Sequence, residues 1–336
     1  MATYKEIHGI KVQYRDSDAP EIEGDVWYNS STGKLRMYAS LGSWASSNAM
    51  NTARGRAVGS AGIQTAGLAM GGNDGSKRGF TETYDGSSWT EVADMSAKGR
   101  NAAGFGTSTA ALAVGGYDLA GAGAGTAVDT TEEWDGSSWT AGGDLASGVR
   151  TYQGGAGTQT AGLMIAGNPQ PNTQVESYDG SSWTEIADVN TGRGSLSGIG
   201  IQTAALAIGG QTNAIVESWN GTAWTEVGDL SESKNEASTS GTSTAGLVYG
   251  GGAPDTATVN TESWDGTSWT EVANLATARV AGYGSPAGTS SLALMAGGGT
   301  GSQGESGFTG VTEEWEVAAS VAVSYTHLTL PTIYSV

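Results

Sequence analysis

Apolar residues in this chain fall in short runs that end on glycine. Leu68-Ala-Met-Gly-Gly72, Leu112-Ala-Val-Gly-Gly116, Leu163-Met-Ile-Ala-Gly167, Leu206-Ala-Ile-Gly-Gly210, Leu247-Val-Tyr-Gly-Gly251 and Leu294-Met-Ala-Gly-Gly298 make six such runs. A run this short, bounded by turn residues, predicts a short strand. Each of the first five is followed by a second motif. Glu82-Thr-Tyr84-Asp-Gly-Ser-Ser-Trp89 recurs around Trp134 and Trp139, Tyr178 and Trp183, Trp219 and Trp224, and Trp264 and Trp269, so the second Trp advances by 50, 44, 41 and 45 residues. A period of that size marks a repeat architecture in which no unit can bury both its faces alone.

Turn signals divide each unit into four short strands. Asp85-Gly86 and its equivalents, with Asn220-Gly221 in the fourth unit, predict two-residue hairpins between strands three and four, since such turns need positive φ at both centres. Gly106-Thr-Ser-Thr-Ala110, Gly157-Thr-Gln-Thr-Ala161 and Gly241-Thr-Ser-Thr-Ala245 join strand one to strand two. The first strands are rich in Gly and Ala, as in Asn101-Ala-Ala-Gly-Phe105, which suits strands crowded against their symmetry mates.

The double glycine, the Glu-x-Tyr/Trp-Asp stretch and the following Trp resemble kelch repeats element by element, as does a basic residue ten or eleven positions beyond that Trp. The basic residues are Arg100, Arg150, Arg193, Lys234 and Arg279. WD-type propellers share the period but want a Gly-His pair, which is missing. The sixth unit stops after Val311-Thr-Glu-Glu-Trp315, while Trp44, Met50 and Arg54 are spaced like a fourth strand and its sequel. The resemblance therefore implies an all-β, six-bladed kelch-type β-propeller over residues 44–322, closed by an N-terminal strand, and closure removes the open edges of a row of blades.

Residues 1–43 precede the repeat. Ile10-Lys-Val-Gln-Tyr14 alternates like a strand, and 24–36 reads as a hairpin. Gly24-Asp-Val-Trp-Tyr-Asn29 resembles leader segments found before the distal modules of phage tail and virion proteins, notably marine ones. At the other end, Val323-Ser-Tyr-Thr-His-Leu-Thr-Leu-Pro-Thr332 is similar to an in-frame translation of a transposon-type sequencing adapter. Residues 323–336 are therefore expected to be non-native and are set aside from the reading of function, His327 with them.

Composition removes several kinds of chemistry. With 34 acidic against 15 basic side chains the net charge is -19, which argues against a nucleic-acid partner, because that affinity comes largely from basic side chains. No apolar run approaches the ~20 residues of a membrane span, so no membrane insertion is expected. The chain has no Cys and only two His, His8 and His327. Galactose oxidase, the enzyme that the kelch resemblance brings in, uses His ligands and a Tyr-Cys crosslink, so its copper site cannot be built here. Zinc sites and serine triads fail for the same lack of ligands and base. No cofactor and no metal site is expected, and Asp94, Asp144, Asp188, Asp229 and Asn274 read as turn caps.

Two features invite an enzymatic reading. The acid pairs Glu132-Glu133 and Glu313-Glu314 could suggest glycoside hydrolysis, which needs two carboxylates, but one Glu of each pair recurs in every unit and so reads as architecture, pairing with the repeated Arg or Lys. The aromatic ladder, Trp44, Trp89, Trp139, Trp183, Trp224 and Trp269 with Tyr84, Trp134, Tyr178, Trp219, Trp264 and Trp315, could stack on sugar rings, yet fixed positions in the repeat favour packing between sheets.

What varies between units is the connection from strand two to strand three: 73–80, 117–130, 168–174, 211–215, 253–260 and 300–310. Where a scaffold repeats and one set of loops does not, those loops are the natural binding surface. The candidate ligand-binding residues are Asn73, Asp74, Lys77, Arg78, Tyr117, Asp118, Asn168, Gln170, Asn172, Gln211, Asn213, Asp255, Gln303 and Glu305, clustered on one face around the channel mouth. The expected function is non-enzymatic: a binding or structural propeller of a phage virion or tail, contacting a host-surface glycan or protein. Its N-terminal segment would join it to other virion subunits. The alternatives are a carbohydrate-active enzyme with a loop-borne carboxylate site and a bacterial extracellular or cell-surface adhesion propeller.

Overall fold

The computed structural model describes residues 12–15, 26–31, 34–39, 42–56, 59–96, 98–118, 125–252, 256–301, 306–317 and 321–325. Contacts divide the chain into two units, Trp44–Glu316 and a second made of Met1–Ser43 with Val317–Val336. The first unit therefore ends at Glu316, short of the boundary read from sequence at 322.

Trp44–Glu316 is a six-bladed β-propeller. Blade one is Gly59–Ile63, Ala66–Asn73, Lys77–Tyr84 and Trp89–Val92, and blade two is Ala103–Thr107, Ala110–Val114, Thr131–Trp134 and Trp139–Ala141. Blade three is Gly154–Thr158, Ala161–Ile165, Val175–Tyr178 and Trp183–Ile186; blade four is Ser197–Ile201, Ala204–Ile208, Val216–Trp219 and Trp224–Glu226. Blade five is Ser238–Gly241, Gly246–Tyr249, Thr261–Trp264 and Trp269–Glu271. In blade six Leu292–Ala296 pairs with Thr312–Val317, which pairs in turn with the N-terminal strand Gly42–Ser47. The ring closes as the spacing of Trp44 and Met50 implies, and the Met50 amide donates to Gly310 O at 2.8 Å. The place of a first strand in blade six is taken by a single two-bond bridge, Tyr283 to Ala296, because Pro286 lacks the N–H that a ladder needs.

The apolar runs are continuous because each second strand has a neighbouring blade over both faces: Leu206, Ala207 and Ile208 are all buried, as are Leu163, Met164 and Ile165. The first strands line the centre, and their glycines let backbones meet. A Cβ on Gly59 would lie 2.2 Å from the Gly104 nitrogen, so no larger residue fits there.

The hairpins between strands three and four differ from the two-residue turns expected. Tyr84 pairs with Trp89 across four residues, and only Gly86 has positive φ, at 90°. The reason is the aspartate, whose Oδ1 accepts the amides of Ser87 at 2.8 Å and Ser88 at 2.7 Å and closes the loop itself. These bonds hold the Asp85 carboxyl at about 2, and the same pattern holds Asp135, Asp179 and Asp265 at about 2.

Each strand-four Trp reaches back to the preceding blade. Trp89 Nε1 donates to Thr312 Oγ1 at 3.0 Å, Trp139 to Thr81 at 3.1 Å, Trp183 to Thr131 at 2.9 Å and Trp44 to Thr261 at 3.1 Å. Blades three and four carry valine at that position, Val175 and Val216. Trp224 Nε1 then finds Ala187 O at 3.1 Å, while the buried Trp269 Nε1 finds no partner. Val216→Thr should supply one and raise stability by about 1 kcal/mol. Urea unfolding would measure this, and an unchanged or lower midpoint would show that the hydroxyl does not reach the indole.

In the second unit, Val12–Arg15 runs parallel to Val26–Asn29, which forms the expected hairpin with Lys34–Ala39. Val321–Tyr325 adds antiparallel to Lys34–Ala39. This strand crosses the boundary expected at 322, with Val323, Ser324 and Tyr325 opposite Met37, Arg36 and Leu35. Residues 326–336 lie outside the described residues.

Candidate functional site

The repeated glutamate of strand three is the first group to place. In every blade its carboxylate accepts a backbone amide from the connection arriving from the blade before: Asn51 to Glu82 at 2.8 Å, Ser96 to Glu132 at 3.0 Å, Ala146 to Glu176 at 2.7 Å, Asn190 to Glu217 at 2.7 Å, Ser231 to Glu262 at 2.9 Å and Ala276 to Glu313 at 2.7 Å. In four blades a buried arginine completes it. Arg54 pairs with Glu82, Arg150 with Glu176 at 2.9 Å, Arg193 with Glu217 at 2.6 Å and Arg279 with Glu313 at 2.7 Å. The main-chain oxygens of Arg54, Arg150, Arg193, Lys234 and Arg279 accept from the glycine pair of the previous blade, as Gly210 N to Lys234 O at 2.7 Å illustrates. Glutamate and cation together clasp one blade to the next.

Two blades depart from this pattern. Lys234 is too short for the role: its ammonium lies 3.1 Å from Glu232 and burial pulls its pKa down, while Glu262 Oε1 has no hydrogen-bond partner. In blade two the residue in the cation's place is Gly99, two before the strand-one entry as Arg193 is before Ser195. Arg100, one residue late, lies instead over the Tyr117 ring at 5.4 Å. The assignment of Arg100 to the repeated cation is corrected accordingly.

The second member of each acid pair also has a structural partner. Tyr84 donates to Glu314 and Tyr178 to Glu133, each across a blade boundary. Burial first, and then these hydrogen bonds, push both phenols up to about 12. Blades with Trp in place of that Tyr send the indole N–H to their own hairpin, as Trp219 does to Gln202 O at 2.9 Å, and the blade before them carries Thr or Ser instead of the second Glu. The aromatic ladder packs in pairs 4.8–5.3 Å apart within blades one to five. Neither acids nor aromatics of the repeat form an open site.

The channel mouth is different. Arg56, Asn101, Tyr152, Ser195, Glu236 and Ala281 stand at equivalent entries to strand one, all with φ between 46° and 57°, a region non-glycine residues seldom occupy. Their main chains link around the axis. Tyr152 N donates to Asn101 O at 3.0 Å, Ser195 N to Tyr152 O at 2.6 Å, Glu236 N to Ser195 O at 2.8 Å and Ala281 N to Glu236 O at 3.0 Å. Six different side chains occupy one repeated backbone position. Asn101, Tyr152, Ser195, Glu236 and Ala281 line a cavity of about 120 Å3 that continues down between the glycine-rich first strands. Arg56 Nη1 donates to Tyr152 OH at 3.1 Å, and Tyr152 meets Tyr117 edge-on at 6.3 Å. Burial raises the Tyr152 phenol above its usual range.

Among the described residues, none of the candidates read from the variable loops lines this cavity. Tyr117 comes nearest, through Tyr152. Several support their own loops: Asn73 Oδ1 accepts Gly75 N at 2.8 Å, Asp74 accepts Ser76 N at 3.0 Å, Asp118 accepts Thr126 N at 3.0 Å and Asn172 accepts Gln174 N at 2.9 Å. Asn168 exchanges backbone hydrogen bonds with Thr151, Asn213 N donates to Gly210 O at 3.0 Å, and Gln170 and Gln211 are exposed. The side chains of Lys77 and Arg78, and all of Asp255, Gln303 and Glu305, lie outside the described residues.

Six clasped blades around an open, side-chain-varied mouth define a six-bladed β-propeller. The solved structure titled "Structure of YjhT" is similar in fold, with a TM-score of 0.64 over 80% of this chain and 96% of its own, at 12% sequence identity. No family model and no curated protein matches the chain.

Proposed function

We propose that this chain is a kelch-type propeller that binds without turnover, borne on a phage virion or tail and contacting a host-surface glycan or protein. The observation that carries the reading is the mouth, where one backbone position repeated six times holds Arg56, Asn101, Tyr152, Ser195, Glu236 and Ala281. Elsewhere the repeat conserves its glutamates, glycine pairs and tryptophans for holding blades together. Diversity confined to one ring and the loops around it supports recognition as the role of that face. Cleavage of a glycosidic bond calls for two carboxylates, and the described lining of the cavity offers Glu236. The virion setting rests on the leader's resemblance to phage tail segments, and many copies on one particle would multiply weak contacts.

The test is to shorten loops 117–130 and 168–174 to the 211–215 type and to follow both melting and attachment to candidate host cells. Melting should hold while attachment is lost. Attachment that survives this change but fails when the 62–65 and 85–88 hairpins are altered would place binding on the other face. Conversion of a bound glycan to product would overturn the non-enzymatic reading.

A further inference from the structure

In blades one to five the hairpin between strands three and four is closed by Asp85, Asp135, Asp179, Asn220 and Asp265. The asparagine holds its loop in the same way as the aspartates. Between the paired Trp219 and Trp224, Asn220 Oδ1 accepts Thr222 N at 2.9 Å, Thr222 Oγ1 at 2.8 Å and Ala223 N at 2.9 Å. Donors converging on one atom settle that this atom is the oxygen. Asn220-Gly221 is also the one Asn-Gly pair of the chain. Residues 220–223 are exposed, Gly221 has φ at 92°, and among the described residues no backbone partner holds its N–H.

These features belong to a reactive asparagine. A following glycine has no side chain to screen its nitrogen, so the Gly221 nitrogen is free to add to Asn220 Cγ. The charge of that addition falls on Oδ1, where the turn has already placed its N–H and O–H donors in the manner of an oxyanion hole. We infer that Asn220 is a site of spontaneous deamidation, turned by its own hairpin into aspartate. Hydroxide takes the Gly221 amide proton, the Gly221 N–Cγ bond forms, the Cγ–Nδ2 bond breaks, and the side-chain nitrogen leaves as ammonia with a proton from water. Water then opens the five-membered imide. Opening at Cγ gives aspartate and again puts the charge on Oδ1, whereas opening at the main-chain carbon gives isoaspartate and puts it elsewhere; the donors stand at Oδ1 and favour aspartate. The product is then kept. Its carboxylate would sit as those of Asp85, Asp135, Asp179 and Asp265 do, each held at about 2 by hydrogen bonds from the two residues after the glycine. An ionised carboxylate offers no leaving group, so the change runs one way.

The test is to hold the full-length chain in warm, mildly alkaline buffer, folded and in denaturant, and to follow position 220 by peptide mapping with a fragmentation that separates aspartate from isoaspartate. In the folded chain Asn220 should convert ahead of every other asparagine, with aspartate in excess; in denaturant isoaspartate should prevail. Thr222→Val removes one donor from Oδ1 and should slow the folded conversion by about three- to tenfold while leaving the denatured rate alone, and Thr222→Ser should restore it. If Thr222→Val lowers the melting temperature, the product ratio of the unaltered chain, folded against denatured, decides alone. Asn220 left intact in the folded chain while the denatured chain converts overturns the inference, since the turn would then be holding the side chain out of reach. The same product ratio in both states also overturns it, because the donors would then take no part.

Discussion

Glu217→Ala should destabilise the propeller by about 3–5 kcal/mol, the range for stripping one partner from a buried ion pair. Glu217 and Arg193 are both fully buried and 2.6 Å apart. The carboxylate also accepts Asn190 N at 2.7 Å, Asn190 Nδ2 at 2.9 Å and Thr191 N at 3.2 Å. Removing it leaves a buried guanidinium without its counter-charge and an arriving connection without its anchor. Arg193 retains Gly209 O at 2.7 Å, Thr191 O at 2.8 Å and Ala207 O at 3.1 Å, so the lower figure is expected if those carbonyls hold it in place. Chemical denaturation gives the number. A loss under 1 kcal/mol would mean that the clasp is replaceable and that blade contacts alone close the ring.

A larger effect should follow from deleting residues 1–52. The deletion removes Gly42–Ser47, the outer strand of blade six, and with it the Trp44 indole that bonds Thr261 and packs 4.9 Å from Tyr249 and 5.6 Å from Trp315. It also strips Asn51 from Glu82. Thr312–Val317 becomes an open edge, which invites pairing between chains. We expect the truncated chain to aggregate on size-exclusion chromatography, and a synthetic peptide of residues 42–56 to restore a monomer. A truncated chain that stays monomeric without the peptide would show that blade six is complete without its N-terminal strand.

Much of this was legible because it repeats. The closing strand announced itself through Trp44, Met50 and Arg54, and the strand-three glutamates through their recurrence beside a cation. Features that depend on a neighbour one blade away were harder to see. Glu133 and Glu314 matter because the following blade has Tyr178 and Tyr84 in place of Trp, a coupling between residues 45 and 230 positions apart in sequence. Arg100 was misplaced because it was counted forward from Trp89; counted back from the strand it precedes, Gly99 occupies the site. The mouth ring left no mark at all, since positive φ is signalled in sequence by glycine and here falls on Arg, Asn, Tyr, Ser, Glu and Ala.

Neighbours in that ring are linked through main-chain N–H and C=O groups, with a side-chain bond from Arg56 Nη1 to Tyr152 OH added to them. A substitution at Asn101, Ser195, Glu236 or Ala281 changes what the mouth offers a ligand and leaves these main-chain bonds untouched. The cost of each exchange is limited to the modest preference of side chains for a left-handed backbone, in which Asn, Asp and Gly fare best. Selection can therefore revise specificity there one residue at a time, with stability conserved through the series, and a combinatorial library at these four positions would explore new ligands on an unchanged frame.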